Sequence, residues 1–371
     1  MTMTDLVDVL VERRGNAGLI TLNRPKALNA LSLQMVRDIT AALKAWRNDP
    51  AVELVAIRGT NKVGKPGTPE ALFGGFCAGG DIRFFHAAAL AVDSALDDFF
   101  TEEYTLNHLI HNYPKPYIAF MDGVVMGGGM GLSQGSKTRI VTEHTKMAMP
   151  ETNIGLFPDV GGGYFLSRCP GSVGEYLALT GDVIGADEAI GYGLADVKAN
   201  ATSLPALWDK LGSSSFEDWS AAYLGAACSS KKGAVVLKHT QIDAHFGLLR
   251  VKHIIDSLEK AKDDIWAKKT AVVLRKRSPL MLHVTLEQIR RARSMTLADD
   301  LRMERDMVHH CFYLRPGLAS ETVEGIRALA VDKDYTPKWS PQRIEDVKPG
   351  MADAFFVSPW AADAHPLRGL T

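Results

Sequence analysis

Two carboxylates, Glu151 and Asp159, stand in short loops opened by proline, Pro150-Glu151 and Pro158-Asp159, with apolar residues on either side. A carboxylate so placed either caps backbone N–H groups or does chemistry with a pKa set by its surroundings. Two such groups close together suit acid–base or nucleophilic work. The pair is bracketed by Gly127-Gly128-Gly129 and Gly161-Gly162-Gly163, stretches of backbone with no Cβ to keep a ligand at a distance. Gly127-Gly128-Gly129 and Ala78-Gly79-Gly80 each lead into a helical pattern, so both offer exposed N–H groups. Two of these donors converging on one oxygen would form an oxyanion hole; the same spacing also suits tight turns at strand ends. Glu102-Glu103, before Tyr104, reads as a solvated helix pair.

Two other motifs carry less. Gly59-Thr60-Asn61-Lys62-Val63-Gly64-Lys65 matches most of a nucleotide-binding Walker A loop. The next residue is Pro66, where a hydroxyl for Mg²⁺ and a helix start are needed, so nucleotide hydrolysis is disfavoured. Gly131-Leu132-Ser133-Gln134-Gly135 spells GxSxG, but no strand runs directly into it, and Ser133 reads as a small helix-packing residue.

The elements that must position these groups follow from periodicity. Val7–Glu12 and Leu19–Leu22 predict a hairpin around a loop at Arg13–Gly18. Ser32 predicts an N-cap for a helix presenting Val36, Ile39, Leu43 and Trp46 on one face until Asn48-Asp49-Pro50. Val52–Ile57, Tyr117–Met121 and Arg139–Thr142 read as strands; helices are expected with breaks from Ile82 to His111, at Gly174–Leu179 and at Ala186–Tyr192. Strands alternating with helices imply an α/β core. Beyond residue 200 the texture turns helical, as in Val251–Ala271 and Leu280–Ala292, which places a boundary there: residues 1–200 a catalytic core, 201–371 a helical C-terminal region. Arg275-Lys276-Arg277 and Arg290-Arg291 read as solvated helix faces.

The chain of 371 residues is 46% apolar and 23% charged, with a formal net charge of -1. No global field recruits nucleic acid or an anionic membrane, so an anionic ligand must meet a local basic patch. Cys77, Cys169, Cys228 and Cys311 form no CxxC pair, which favours reduced thiols over a zinc site or disulfides. No secretory leader is legible at Met1–Asp5, and no apolar run approaches the roughly 20 residues of a membrane span. The expected protein is soluble and cytoplasmic, or in the mitochondrial matrix if the source is eukaryotic.

Asn23-Arg24-Pro25-Lys26-Ala27-Leu28-Asn29-Ala30-Leu31, Phe76-Cys77-Ala78-Gly79-Gly80-Asp81, the Gly127 triplet and Pro150-Glu151 together resemble the enoyl-CoA hydratase/isomerase (crotonase) superfamily. The resemblance implies a spiral of ββα units, acyl-CoA substrates and an oxyanion hole from the N–H groups of Ala78 and Gly128. Met149–Leu166, Glu102-Glu103-Tyr104 and the downstream Glu324-Gly325-Ile326-Arg327-Ala328, Asp332-Lys333-Asp334 and Pro337-Lys338-Trp339 are similar to one branch of it. That branch hydrolyses short 3-hydroxyacyl-CoA thioesters, with 3-hydroxyisobutyryl-CoA of valine breakdown as the implied substrate. Carried over by position, Glu103, Gly128, Glu151 and Asp159 would contact substrate. Glu151 would attack the carbonyl or act as general base on water, Asp159 would bind the 3-hydroxyl or orient water, and Glu103 would support the acyl pocket. Hydratases of the superfamily carry a second water-holding glutamate at the position of Gly131, which here has no side chain. Hydrolysis is therefore expected over hydration or isomerisation of an enoyl-CoA on the same scaffold, and over a non-catalytic acyl-CoA-binding role. Lys26 and Arg83 stand as cations for the CoA phosphates or as ordinary surface residues. The resemblance calls for no metal and no cofactor beyond the CoA of the substrate. It makes a closed homo-oligomer an expectation, of no fixed number.

Overall fold

The computed structural model describes residues 7–62, 71–223 and 232–371, with the side chains of 223 and 232–238 outside that description. Met1–Asp5, Cys228 and the Val63–Gly67 part of the Walker-like loop lie outside the described residues. Its contacts divide the chain into two compact units, each discontinuous. Residues 1–80, 106–147 and 183–232 form the first; residues 81–105, 148–182 and 233–371 form the second. The division does not follow the single boundary expected near residue 200. Segments 81–105 and 148–182 belong with the C-terminal helices because their apolar faces are buried there.

The first unit is built on a six-stranded sheet. Its strands are β1 (Val9–Arg14), β2 (Ala17–Leu22), β3 (Leu54–Gly59), β4 (Tyr117–Met121), β6 (Thr138–Val141) and β8 (Val197–Lys198), in that spatial order. β5 (Val124–Met126) and β7 (Lys146–Ala148) pair separately. β1 is antiparallel to β2, and every other pair in the sheet is parallel. β2 and β4 are buried along their whole length, as strands covered on both faces require. Leu19, Ala56, Ile118, Phe120 and Ile140 pack with Trp208 and Trp219 in one core. The hairpin turn is tighter than the sequence suggests: Arg14 pairs with Ala17, leaving Gly15 and Asn16 as the turn. Gly15 takes φ +57, which it tolerates without a Cβ. Helix Leu33–Arg47 starts where expected, with the Ser32 hydroxyl accepting the Met35 N–H, and buries Val36, Ile39, Leu43 and Trp46.

The second unit is mostly helical. Phe85, Phe99, Phe100 and Phe312 stack edge-on or tilted at ring separations from 4.8 to 5.7 Å, and Tyr104 completes the group 6.0 Å from Phe100. Helix Leu297–Tyr313 is tied to helix Ala95–His111 through Arg305, which is fully buried. It donates to Asp97 Oδ1 at 2.5 Å and to Thr101 Oγ1 at 3.0 Å. The expected helix over Val251–Ala271 is two helices, Val251–Lys260 and Ile265–Lys276. Asp264 begins the second by accepting the Ala267 N–H at 3.0 Å. Arg277 and Arg290 are half-buried rather than freely solvated: Arg277 donates to Asn153 and to the Thr180 carbonyl, Arg290 to the carbonyls of Leu248 and Leu249. A guanidinium reaches over neighbouring backbone where a charge count sees only a cation.

Candidate active site

In the first unit, main-chain amides are brought to one place by a short ladder. The Phe76 N–H donates to the Asp122 carbonyl, Cys77 to Val124, and Met126 back to Cys77, all between 2.9 and 3.0 Å. This sets Gly79 against the start of helix Gly128–Gln134: a Cβ on Gly79 would sit 3.7 Å from the Gly128 nitrogen. Gly79 adopts φ +103, so glycine is required there. Gly129 must also lack a side chain, since its Cβ would lie 2.4 Å from the Cys77 carbonyl oxygen. Gly128 is the first helical residue, and its N–H has no acceptor within its own helix.

The loop from Asn23 to Leu31 supports this cradle. Buried Asn29 donates to the carbonyls of Thr60 and Gly75 and accepts the Arg24 N–H. Leu28 and Asn29 both take left-handed φ values, +53 and +55. The Leu28 carbonyl is thereby turned onto Ala78 and accepts its N–H at 3.0 Å. This corrects the sequence reading of Ala78 as an oxyanion donor, because its N–H is already committed. Among the described residues, the N–H groups of that loop with no backbone acceptor are one and two residues on, at Gly79 and Gly80. No local signal could have shown this, since the acceptor is fifty residues upstream.

In the second unit, three carboxyls and a phenol are buried together. Glu103 is 2% exposed, Glu151 7% and Asp159 5%, and Tyr104 is wholly buried. Glu103 and Tyr104 come from helix Ala95–His111. Glu151 opens the single turn Glu151–Ile154, closed by Gly155 at φ +66, and the Leu156 N–H returns to the Glu151 carbonyl at 3.0 Å. Asp159 lies in the following loop and accepts the Tyr104 hydroxyl on Oδ2 at 2.8 Å. Glu103 Oε1 and Glu151 Oε2 are buried with no hydrogen-bond partner among the described residues. Glu103 is thus no solvated helix residue; the apolar face of its helix carries it inward.

The electrostatics follow from burial. Desolvation, then the charges of Asp159 and Glu151, push Glu103 well above the usual carboxylate range. Desolvation and Asp159 do the same to Glu151. Asp159 is raised less, to about 6, because burial is opposed by the Tyr104 hydroxyl and a backbone N–H. Tyr104 is driven up by burial and by Asp159. The three carboxyls titrate as one coupled group, each held above the usual carboxylate range. Buried carboxyls that share protons in this way are equipped for proton transfer near neutral pH.

Lys26, on the turn Pro25–Ala27, and Arg83, on helix Ile82–Ala91, are both exposed. Ser133 is fully buried and its hydroxyl donates to the Gly129 and Met130 carbonyls at 2.9 and 3.2 Å, so it is a packed helix residue. The second glycine triplet is not free backbone for a ligand. The Gly161 and Gly163 N–H groups are taken by Glu304, which sequence reasoning missed.

The enoyl-CoA hydratase/isomerase family model matches residues 17–356, and the chain belongs to that family. The six-stranded sheet and C-terminal helices are the crotonase fold. Among its relatives, 3-hydroxyisobutyryl-CoA hydrolase, mitochondrial, of Rattus norvegicus is 39% identical over 96% of this chain and 90% of its own length. A carnitinyl-CoA dehydratase of Mycobacterium thermoresistibile has a crystal structure that matches with TM-score 0.84 and 37% identity, over 94% of this chain and 96% of its own. An enoyl-CoA hydratase of Rhodobacter sphaeroides matches with TM-score 0.84 and 35% identity, over 95% and 98%.

Proposed function

We propose that this protein hydrolyses the thioester of 3-hydroxyisobutyryl-CoA, or a similar short 3-hydroxyacyl-CoA, to the free acid and CoA. The observation that carries the reading is the buried set Glu151, Asp159 and Glu103 with the Tyr104 hydroxyl on Asp159. The rat relative, similar over nearly the whole chain, bears the hydrolase name and supports it. The two solved relatives bear lyase names, which keeps hydration or dehydration as the competing reading. Gly131, buried in helix Gly128–Gln134, decides against it: hydration across a double bond by two glutamates lacks one of them here.

In this reading the N–H groups of Gly128 and Gly80 take the charge that develops on the thioester oxygen. One such donor contributes about 3 kcal/mol to the transition state. Glu151 acts on the carbonyl carbon in one of two ways. As nucleophile, its oxygen bonds to the carbon, the C–S bond breaks, the CoA thiolate leaves and takes a proton, and water then opens the anhydride. As general base, it removes a proton from the water that attacks directly. Asp159, ionised and oriented by Tyr104, holds the 3-hydroxyl or that water, and Glu103 shapes the acyl pocket. Lys26 and Arg83 remain candidates for the CoA phosphates, and no cofactor beyond substrate CoA is called for. Self-association and a cytoplasmic or, in a eukaryote, mitochondrial-matrix location complete the proposal; no described helix is long and apolar enough to cross a membrane.

Thiol release across a panel of acyl-CoAs tests the substrate. Short 3-hydroxyacyl-CoAs should turn over fastest, and preference for acyl chains without the hydroxyl would sink the role given to Asp159. A single turnover in ¹⁸O water tests the nucleophilic role of Glu151. Label found in the Glu151 carboxyl marks an anhydride opened at the glutamyl carbon, an outcome the general-base role cannot give. Label in the free acid alone fits the general base or an anhydride opened at the acyl carbon, and hydroxylamine trapping on Glu151 then distinguishes the two.

A further inference from the structure

The loop that carries Asp159 is held from two helices by groups outside the acid cluster. Glu304, on helix Leu297–Tyr313, is fully buried and accepts the Gly161 N–H on Oε2 at 2.7 Å and the Gly163 N–H on Oε1 at 2.9 Å. Asp300, one turn earlier on the same helix and equally buried, accepts the Tyr164 N–H at 2.8 Å. Gln288, on helix Pro279–Ala292, donates from one nitrogen to the Pro158 carbonyl at 2.6 Å and to Glu304 Oε1 at 3.1 Å. Asp159 is thus gripped through the backbone on both sides, at 158 and at 161–164, while Tyr104 holds its carboxyl.

The glycines make that grip sterically feasible. A Cβ on Gly163 would stand 2.3 Å from Asp300 Oδ1, so only glycine lets the carboxyl approach. Val160, directly after Asp159, is held at φ +57, a left-handed conformation costly for a β-branched residue. Such strain persists only where the surroundings over-determine the backbone, and two buried carboxyls with an amide supply that constraint. Three hydrogen bonds to carboxyl groups, from the N–H groups of Gly161, Gly163 and Tyr164, are stronger than neutral ones.

We propose that Glu304, backed by Asp300 and Gln288, is a positioning residue that fixes the strained Pro158–Tyr164 loop and, through it, the placement of the Asp159 carboxyl. This rests on the hydrolase reading above for what Asp159 does, though the clamp itself does not. Removing the clamp lets Val160 relax and swings Asp159 off its contact with Tyr104, and a displacement near 1 Å at a reacting group costs about 10²-fold in rate. Asp300 and Glu304 share a hydrogen bond and each is raised by burial, Asp300 to about 7, so the pair retains a proton near neutrality.

The test compares wild type, Glu304→Gln, Asp159→Asn and the double variant in the full-length protein, with Gln288→Leu as a second route should Glu304→Gln fail to fold. Glutamine keeps the shape but turns an N–H₂ toward one of the two glycine donors. Amide hydrogen exchange over residues 158–166 should accelerate in Glu304→Gln while the sheet residues stay protected. In thiol release, Glu304→Gln should lower kcat by about 10- to 100-fold with KM within threefold, and should add less than threefold in the Asp159→Asn background. Unchanged exchange at 158–166 overturns the clamp. The same fold-loss with and without the Asp159 carboxyl overturns the positioning role. A wild-type protein that releases no thiol from any 3-hydroxyacyl-CoA contradicts the hydrolase reading instead, and the exchange comparison still decides the clamp.

Discussion

Asp159 and Tyr104 set the pH behaviour of the site. Asp159 is buried beside two other carboxyls, and its folded-state pKa of about 6 exceeds its ordinary value of 3.8. The native state therefore binds this proton more tightly than the unfolded chain. The associated stability is present below about pH 4 and is lost as pH rises through about 6, a difference of about 3 kcal/mol. Asp159→Asn should be catalytically poor yet more stable than wild type at pH 8, by up to that amount, with the gap closing toward pH 4. Chemical denaturation at the two pH values checks this; equal stability at pH 8 would mean the carboxyl is not destabilised. In activity, kcat/KM should fall as pH drops through an acid limb that lies above the usual carboxylate range and belongs to the coupled carboxyls, Glu151 included. The Tyr104 hydroxyl favours the ionised form of Asp159, so Tyr104→Phe should move that acid limb to higher pH. A limb that stays in place, or moves down, would show that Asp159 is not the group being titrated.

At the scale of elements, the positions of most strands and helices were legible because apolar periodicity is local. Ser32 capped its helix and Tyr117–Met121 formed a wholly buried strand, both within a few residues of the signals that announced them. What the sequence hid was long-range pairing of backbone groups. Ala78 looks like a free donor until Leu28 claims its N–H, and Gly161-Gly162-Gly163 looks like open backbone until Glu304 arrives from 141 to 143 residues downstream. Glu103 looks solvated beside Glu102 until the helix turns one of the two inward. Glycine runs announce close approach, but not of what. The Gly129 contact gives a direct test of the amide cradle: Gly129→Ala forces a methyl within 2.4 Å of the Cys77 carbonyl and must part the two backbone segments. Thiol release should drop about 10²- to 10³-fold in kcat, the cost of one misplaced oxyanion donor. Full activity in a folded Gly129→Ala protein would remove the cradle from the mechanism.

The chain enters each of its two units more than once. Amides of the first unit lie where strand ends meet the Gly128–Gln134 helix, and carboxyls of the second lie among helices that run on to residue 371. A cut near residue 200 would thus sever the Asp159 loop from the Glu304 and Gln288 side chains that hold it, so residues 1–200 alone should neither hold that loop nor turn over substrate. The measurement that tests the central claim most directly follows two signals in parallel, free thiol from 3-hydroxyisobutyryl-CoA and enoyl absorbance from crotonyl-CoA, for wild type and Glu151→Gln. The expected result is thiol release by wild type that falls about 10³-fold in Glu151→Gln, with the enoyl absorbance stable throughout. Loss of enoyl absorbance without thiol, or thiol release that survives Glu151→Gln, would contradict it.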